Sequence, residues 1–178
     1  MDITIRSASL SDAPAIAKVN IESWRSTYRG LIDDTILDTM KFENYLEKWN
    51  NIFHTLEANG NFCFVAVNES KEVIGYSLCG KNSHPKFDVE AELFAIYLLK
   101  EYQGYGIGKR LFIKSVEELK KRNIRSFLLF VLSTNLGSRK FYESFKPDII
   151  ANETIIIDNG QYCDICYGWS DISNITTS

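Results

Sequence analysis

"ELFAIYLLKEYQGYGIGKRL", residues 92–111, carries an apolar run into three glycines and out again into an amphipathic stretch. The run from about Val89 to Leu99 reads as a long strand. Ile107, Leu111, Phe112, Val116 and Leu119 then recur at helical spacing to about Arg122. Gly104, Gly106 and Gly108 fall on the junction. Glycines there let the backbone turn tightly, and the amides of residues 104–109, those of Tyr105 and Lys109 included, can point at a pyrophosphate. The positive end of the following helix adds attraction without a metal. After the helix, "SFLLFVL" (126–132) is the continuous apolar run of a strand covered on both faces. Strand, helix and strand in this order make a βαβ unit, so the sheet contains a parallel pair.

Two familiar phosphate loops fail on this stretch. A dinucleotide fingerprint starting at Gly104 needs glycine where the chain has Lys109. A Walker loop needs glycine where it has Gln103, and Ser or Thr where it has Arg110. The pattern that fits is Q-x-x-G-x-G, read at Gln103, Gly106 and Gly108.

Upstream, residues 2–6 alternate like a first strand, and Ser11 precedes Asp12 and Pro14 as a helix cap would. Ile16, Val19, Trp24 and Tyr28 form one apolar stripe; Phe42, Tyr45, Leu46, Trp49, Phe53 and Leu56 form a stronger one. "NFCFVAV" (61–67) and "EVIGYSLCG" (72–80) read as strands joined by a polar turn at Asn68–Lys71. Downstream come a short helix near 136–145 and strands near 149–157 and 161–169, with Asn159-Gly160 as the hairpin signal between them. The element order is β-α-α-β-β-β-α-β-α-β-β, an α/β chain with a mixed sheet and helices on both faces. A single domain over 1–170 is expected, with 171–178 as a polar, frayed tail.

The chain has 178 residues, enough for one full core without disulfides or metals. A net charge of −3 argues against nucleic acid as partner. No leader-like segment or long apolar run is evident, so the expectation is a cytosolic protein with no membrane span. Among the four cysteines only Cys163 and Cys166 form a C-x-x-C, and on a strand that spacing sends the thiols to opposite faces. All four are read as buried structural thiols, and no metal is expected.

The loop resembles the acyl-CoA loop of the GNAT superfamily of N-acetyltransferases. Residues 92–111 match that family's strand-to-helix segment. "NLGSRKFYESF" (135–145) matches its later N-x-x-A-x-x-F-Y-E segment, and "SWRSTYRGLIDD" (23–34) is similar to one branch of it. The segment order over 2–169 agrees as well. Serine replaces the usual alanine at Ser138. Where the family follows F-Y-E with a turn glycine and phenylalanine, this chain has Phe145, Lys146 and Pro147, which leaves the exit of that helix undetermined.

The resemblance implies a GNAT-like acyltransferase fold and acetyl-CoA as co-substrate. It also implies a strand that splays from its parallel neighbour, so that backbone groups of Ile96 and Leu98 bond the pantetheine arm. Gln103 would sit at the loop's entry, with Lys109 and Arg110 supplying charge near the phosphates. Asn135, Ser138 and Tyr142 share a helix face that would lie along the arm, placing the Tyr142 phenol near the thioester sulfur as proton donor to the leaving thiolate. Glu92 occupies the position of the family's frequent general base, with Glu90 in reserve. Trp24 and Tyr28, followed by Asp33-Asp34, suit a cationic acceptor through cation–π contact and Coulomb attraction. Trp24 and Tyr28 are also readable as the core stripe of the first helix. The reaction expected is acetyl transfer to a primary amine of a small molecule by direct attack in a ternary complex. A protein or peptide N-acetyltransferase and a non-catalytic acyl-CoA sensor stay open as alternatives, and so does a homodimer.

Overall fold

The computed structural model describes residues 2–175. Its elements are β1 (Thr4–Ser7), α1 (Ala13–Tyr28), α2 (Asp34–Asp38), α3 (Phe42–Thr55), β2 (Phe62–Val67), β3 (Val73–Lys81), β4 (Ala91–Leu98), α4 (Ile107–Lys121), β5 (Phe127–Leu132), α5 (Leu136–Glu143), β6 (Ile149–Ile157) and β7 (Gly160–Trp169). They build one seven-stranded sheet in the order β1-β2-β3-β4-β5-β7-β6. Every neighbouring pair is antiparallel except β4 and β5. The expected mixed sheet is present. The one-turn α2 is an addition: Asp33 accepts from Thr35 N at 2.9 Å and caps it, a local side-chain bond that no apolar periodicity announces.

Strand β2 shows how the layers form. Phe62, Phe64 and Ala66 enter a core with α4, whereas Cys63, Val65 and Val67 enter a second core with α1 and Trp49 of α3. Alternate residues therefore feed opposite faces, and all six are buried. The stripe on α4 is buried as its spacing implies: Ile107, Leu111, Phe112, Val116 and Leu119. Strand β5 is covered on both faces, with Leu129 in the α4 core and Leu132 packed with α1 and α2.

Several local expectations change. Asp12, rather than Ser11, precedes α1. Ser9 opens a preceding 3₁₀ turn in a capping box with Asp12, and Arg6 holds the Asp12 carboxylate at 2.7 and 2.8 Å. The last hairpin pairs Ile157 with Gly160, so its turn residues are Asp158-Asn159 and not Asn159-Gly160; Asp158 takes the positive φ of 53°. Cys163 is exposed, correcting its reading as buried, while Cys166 is buried on the opposite face. Residues 171–175 are not loose. Ile172 is only 1% exposed in the α4 core, its amide donates to Arg125 O at 2.9 Å, and Lys120 Nζ bonds the carbonyls of Ser173 and Ile175. Residues 176–178 of the expected tail lie outside the described residues.

The exit of α5 is settled by backbone geometry. Lys146 stands at φ +54°, and its amide donates to Glu143 O at 3.0 Å. A side chain in this left-handed region costs roughly 1–2 kcal/mol, partly offset by the greater entropy glycine loses on folding. Lys146→Gly should therefore raise stability by about 0.5–1 kcal/mol, read as a higher midpoint in urea at unchanged m. A lower midpoint would show that the lysine side chain contributes more than the backbone strain costs.

Candidate active site

The parallel pair β4–β5 is registered at only two positions, Ala91 with Phe127 and Glu92 with Leu128. Strand β4 nevertheless continues to Leu98, paired with β3 as far as Gly75↔Leu98. From Leu93 onwards its other edge has no strand beside it among the described residues. A register shift between Leu78 and Cys79 of β3, where Ala95 and Leu93 are the successive partners, marks where β4 turns away. The result is a cleft of about 660 Å³. One wall is β4 from Leu93 to Leu98 and the other is Leu129, Phe130 and Val131 of β5; the glycine loop, α5 and Tyr28 of α1 complete the lining.

The loop has the conformation its glycines suggest. Gly104 and Gly106 stand at φ +84° and +77°, and Gly106 is the N-cap of α4. No atom lies within 4 Å of where a Cβ would sit on either, so the space beside them is open. The first amides of α4 have no partner within the helix and form a ready anion site. Gln103 Nε2 donates to Leu98 O at 3.0 Å, tying the loop to the end of β4. Arg110 departs from expectation: its guanidinium donates to Ile3 O at 2.6 Å, on β1's side of the molecule. Lys109 lines the cleft, and Tyr105 is exposed.

Helix α5 brings Asn135, Ser138 and Tyr142 to the cleft together. The Asn135 side chain accepts from Ser138 N at 3.2 Å, so it also caps the helix. Tyr142 is 8% exposed, its ring set against Phe112 and Phe141. No protein group bonds its hydroxyl among the described residues. Burial, followed by the nearby Tyr28, raises its pKa above the usual tyrosine value, so the phenol stays protonated at neutral pH.

Where α1 meets the cleft, Tyr28 Oη and Tyr97 Oη lie 3.0 Å apart. Trp24 meets Tyr28 edge-on at 5.0 Å and Tyr97 at 6.3 Å. Trp24 thus backs the cleft rather than lining it. Burial raises the pKa of both tyrosines.

Glu92 sits where β4 leaves β5 and is 7% exposed. Its carboxylate accepts from Ser83 Oγ at 2.7 Å and Ser83 N at 3.3 Å, and lies 3.6 Å from His84 Nε2. The His84 ring rests 4.4 Å from Phe130, which links this group to the cleft wall. Asn82 fixes the loop by donating to the carbonyls of His84, Phe87 and Val89. Glu90 lies before β4, and its carboxylate accepts from Arg125 N at 2.9 Å. No cluster of three metal-ligating side chains occurs among the described residues, and no helix there is long and apolar enough to cross a membrane.

Tyr97, Phe130 and Val131 line the cleft without having been singled out in the sequence. Their strands read as wholly apolar core. The usable signal was the glycine loop, which implies that β4 and β5 separate and expose what lies between them.

Comparison with known proteins agrees with this geometry. Residues 21–146 match the model of the Acetyltransferase (GNAT) family. The chain is 31% identical over 175 residues to an uncharacterized N-acetyltransferase, YuaI, of Bacillus subtilis, covering 98% of this chain and 97% of that protein. It is 29% identical over 143 residues to a spermidine N(1)-acetyltransferase of Thermoplasma acidophilum, covering 80% and 86%. The crystal structure of PaiA N-acetyltransferase from Thermoplasma acidophilum, in complex with coenzyme A, superposes with a TM-score of 0.70 at 25% identity, covering 93% of this chain and 98% of that one. The chain belongs to the GNAT acetyltransferase family and is an acetyl-CoA-dependent N-acetyltransferase.

Proposed function

We propose that the acetyl group passes to a primary amine of a small molecule by direct attack in a ternary complex. The observation that carries this reading is the continuity of the cleft. It runs from the glycine loop, past the buried and unpartnered Tyr142 phenol, to the paired hydroxyls of Tyr28 and Tyr97. Coenzyme A fits the loop end: the pyrophosphate on the amides of residues 104–109, the pantetheine along the open edge at Ile96 and Leu98, and Asn135 and Ser138 beside it. The amine enters from the α1 end. The relative that acts on spermidine supports an amine acceptor.

The chemistry then assigns roles. An alkylammonium with a pKa of about 10.4 costs roughly 4.6 kcal/mol to deprotonate at pH 7. Glu92 takes that proton through water, held in place by Ser83 and His84. The neutral nitrogen attacks the thioester carbon, the C–S bond breaks, and Tyr142 donates its proton to the departing thiolate. An acyl-enzyme on cysteine is disfavoured. None of the four thiols lines the cleft, and burial pushes Cys79 up to about 12 and Cys166 up to about 11.

A panel of soluble primary amines, scored by acetyl-CoA-dependent thiol release, tests this directly. In Tyr28→Ala the KM of any accepted amine should rise about tenfold, because an aromatic wall of the acceptor site is lost. The melting-temperature increase caused by acetyl-CoA should persist. Turnover confined to protein substrates, or an unmoved amine KM in the variant, overturns the reading.

A further inference from the structure

One buried charge is unaccounted for by this chemistry. Asp164 lies in the middle of β7, paired with Leu132 of β5 on one side and Glu153 of β6 on the other. It is 7% exposed. Directly paired residues share a sheet face, so Asp164 stands on the side of Leu132, as does Tyr162 two residues back. Leu132 and Tyr162 pack in one cluster with Trp24 and Tyr28. The other carboxylates around this face have partners: Glu92 has Ser83 and His84, and Glu153 has Lys86. The Asp164 carboxylate has neither hydrogen bond nor ion pair among the described residues. Leaving a buried carboxylate unpaired is costly, and nothing in the packing explains keeping one here.

We propose that Asp164 binds a second, non-reacting ammonium of the acceptor at the α1 end of the cleft, which makes the acceptor an alkyl diamine or polyamine. Asp164 is near Tyr28, whose hydroxyl lies 3.0 Å from that of Tyr97, and the rings of Tyr28 and Tyr97, backed by Trp24, form an aromatic wall suited to a cation. Asp164 is close enough to Tyr28 to disfavour its ionisation. The two-nitrogen requirement follows from charge. A carboxylate stabilises the protonated form of an amine beside it, whereas the nitrogen that attacks must be neutral. The nitrogen held by Asp164 is therefore not the one acetylated. A cation bound there also relieves the burial that raises the pKa of Asp164. The inference rests on the reading of this cleft as an amine acceptor site.

The test compares α,ω-diaminoalkanes of three to six carbons with the n-alkylamines of matching length. Wild type should prefer the diamines in kcat/KM by about tenfold or more, the effect of one charge-assisted bond in a desolvated site. Asp164→Asn should abolish most of that ratio through KM, and Asp164→Glu should restore part of it. The Asn variant should melt no lower than wild type, since it removes an unpaired buried charge. It should also keep its acetyl-CoA-induced melting shift, which shows that it is folded. A structural role predicts the reverse, a lower melting point and an unchanged ratio. Equal use of diamines and monoamines by wild type, or a preserved preference in Asp164→Asn, overturns this inference while leaving the amine acceptor intact. Wild type that acetylates no amine of either series overturns both.

Discussion

Tyr142→Phe is expected to lower kcat by about a hundredfold while leaving the KM for acetyl-CoA nearly unchanged. The ring occupies a closed aromatic nest with Phe112 and Phe141, so phenylalanine keeps the packing. What disappears is one hydroxyl that no protein group among the described residues bonds. As the proposed proton donor it would be needed most when sulfur acquires charge, which places its loss in the chemical step and not in binding. The pH behaviour adds a second check. Burial holds the phenol above the ordinary tyrosine value of about 10, so the donor form is complete at every lower pH. The wild-type kcat should show no alkaline loss from this group below about pH 10. An unchanged kcat in Tyr142→Phe, with acetyl transfer shown to be rate-limiting, returns Tyr142 to the core as a packing residue.

The fold was legible wherever burial repeats with a fixed period. The α4 stripe, the continuous run of β5 and the two-period β2 are each dictated by which faces must leave water, and each is present. What escaped was local. The one-turn α2 depends on a single Asp33 side chain bonding a backbone amide, and the last hairpin on Asp158 tolerating a positive φ. Lys146 is the sharper example. The missing glycine after Phe-Tyr-Glu left the exit from α5 undetermined, yet the backbone makes a left-handed turn and a lysine bears its cost. The demand came from the chain path, which a single position's residue type does not reveal.

The site divided in the same way. Its proposed cofactor end is local in sequence: three glycines and one helix face fall within 104–108 and 135–142, and the structure brings Gln103, Gly106, Asn135, Ser138 and Tyr142 to one cleft. The proposed acceptor end is assembled from distant segments. Tyr28 and Tyr97 meet across 69 positions, and Asp164 approaches Tyr28 from β7. A signal for the proposed role of Asp164 existed: a carboxylate inside "QYCDICYGW", a strand otherwise fit for burial, is a local conflict between residue type and environment.

Gly106→Val is expected to raise the KM for acetyl-CoA by about a hundredfold and to remove the melting-temperature increase that acetyl-CoA gives wild type. Gly106 stands at φ +77° with open space beside it, so no packing clash opposes the new side chain. Two other effects do. A β-branched residue in the left-handed region is strained by roughly 2 kcal/mol or more, which pulls the loop away from its turn. The added methyls also project into the cleft that Gly106 lines, where the proposed pyrophosphate must approach the amides of α4. Gly106→Ala separates the two, since it carries most of the strain and little of the obstruction. Its KM should rise by about tenfold, between wild type and Val. Calorimetry on the same proteins tests the ligand itself: wild type should bind coenzyme A without added metal, and Gly106→Val should not. Tight binding of ATP or NAD by wild type, with none of coenzyme A, would mean that the loop has been assigned to the wrong phosphate. Equal KM values for Val and wild type would mean that the turn at Gly106 serves only to start the helix.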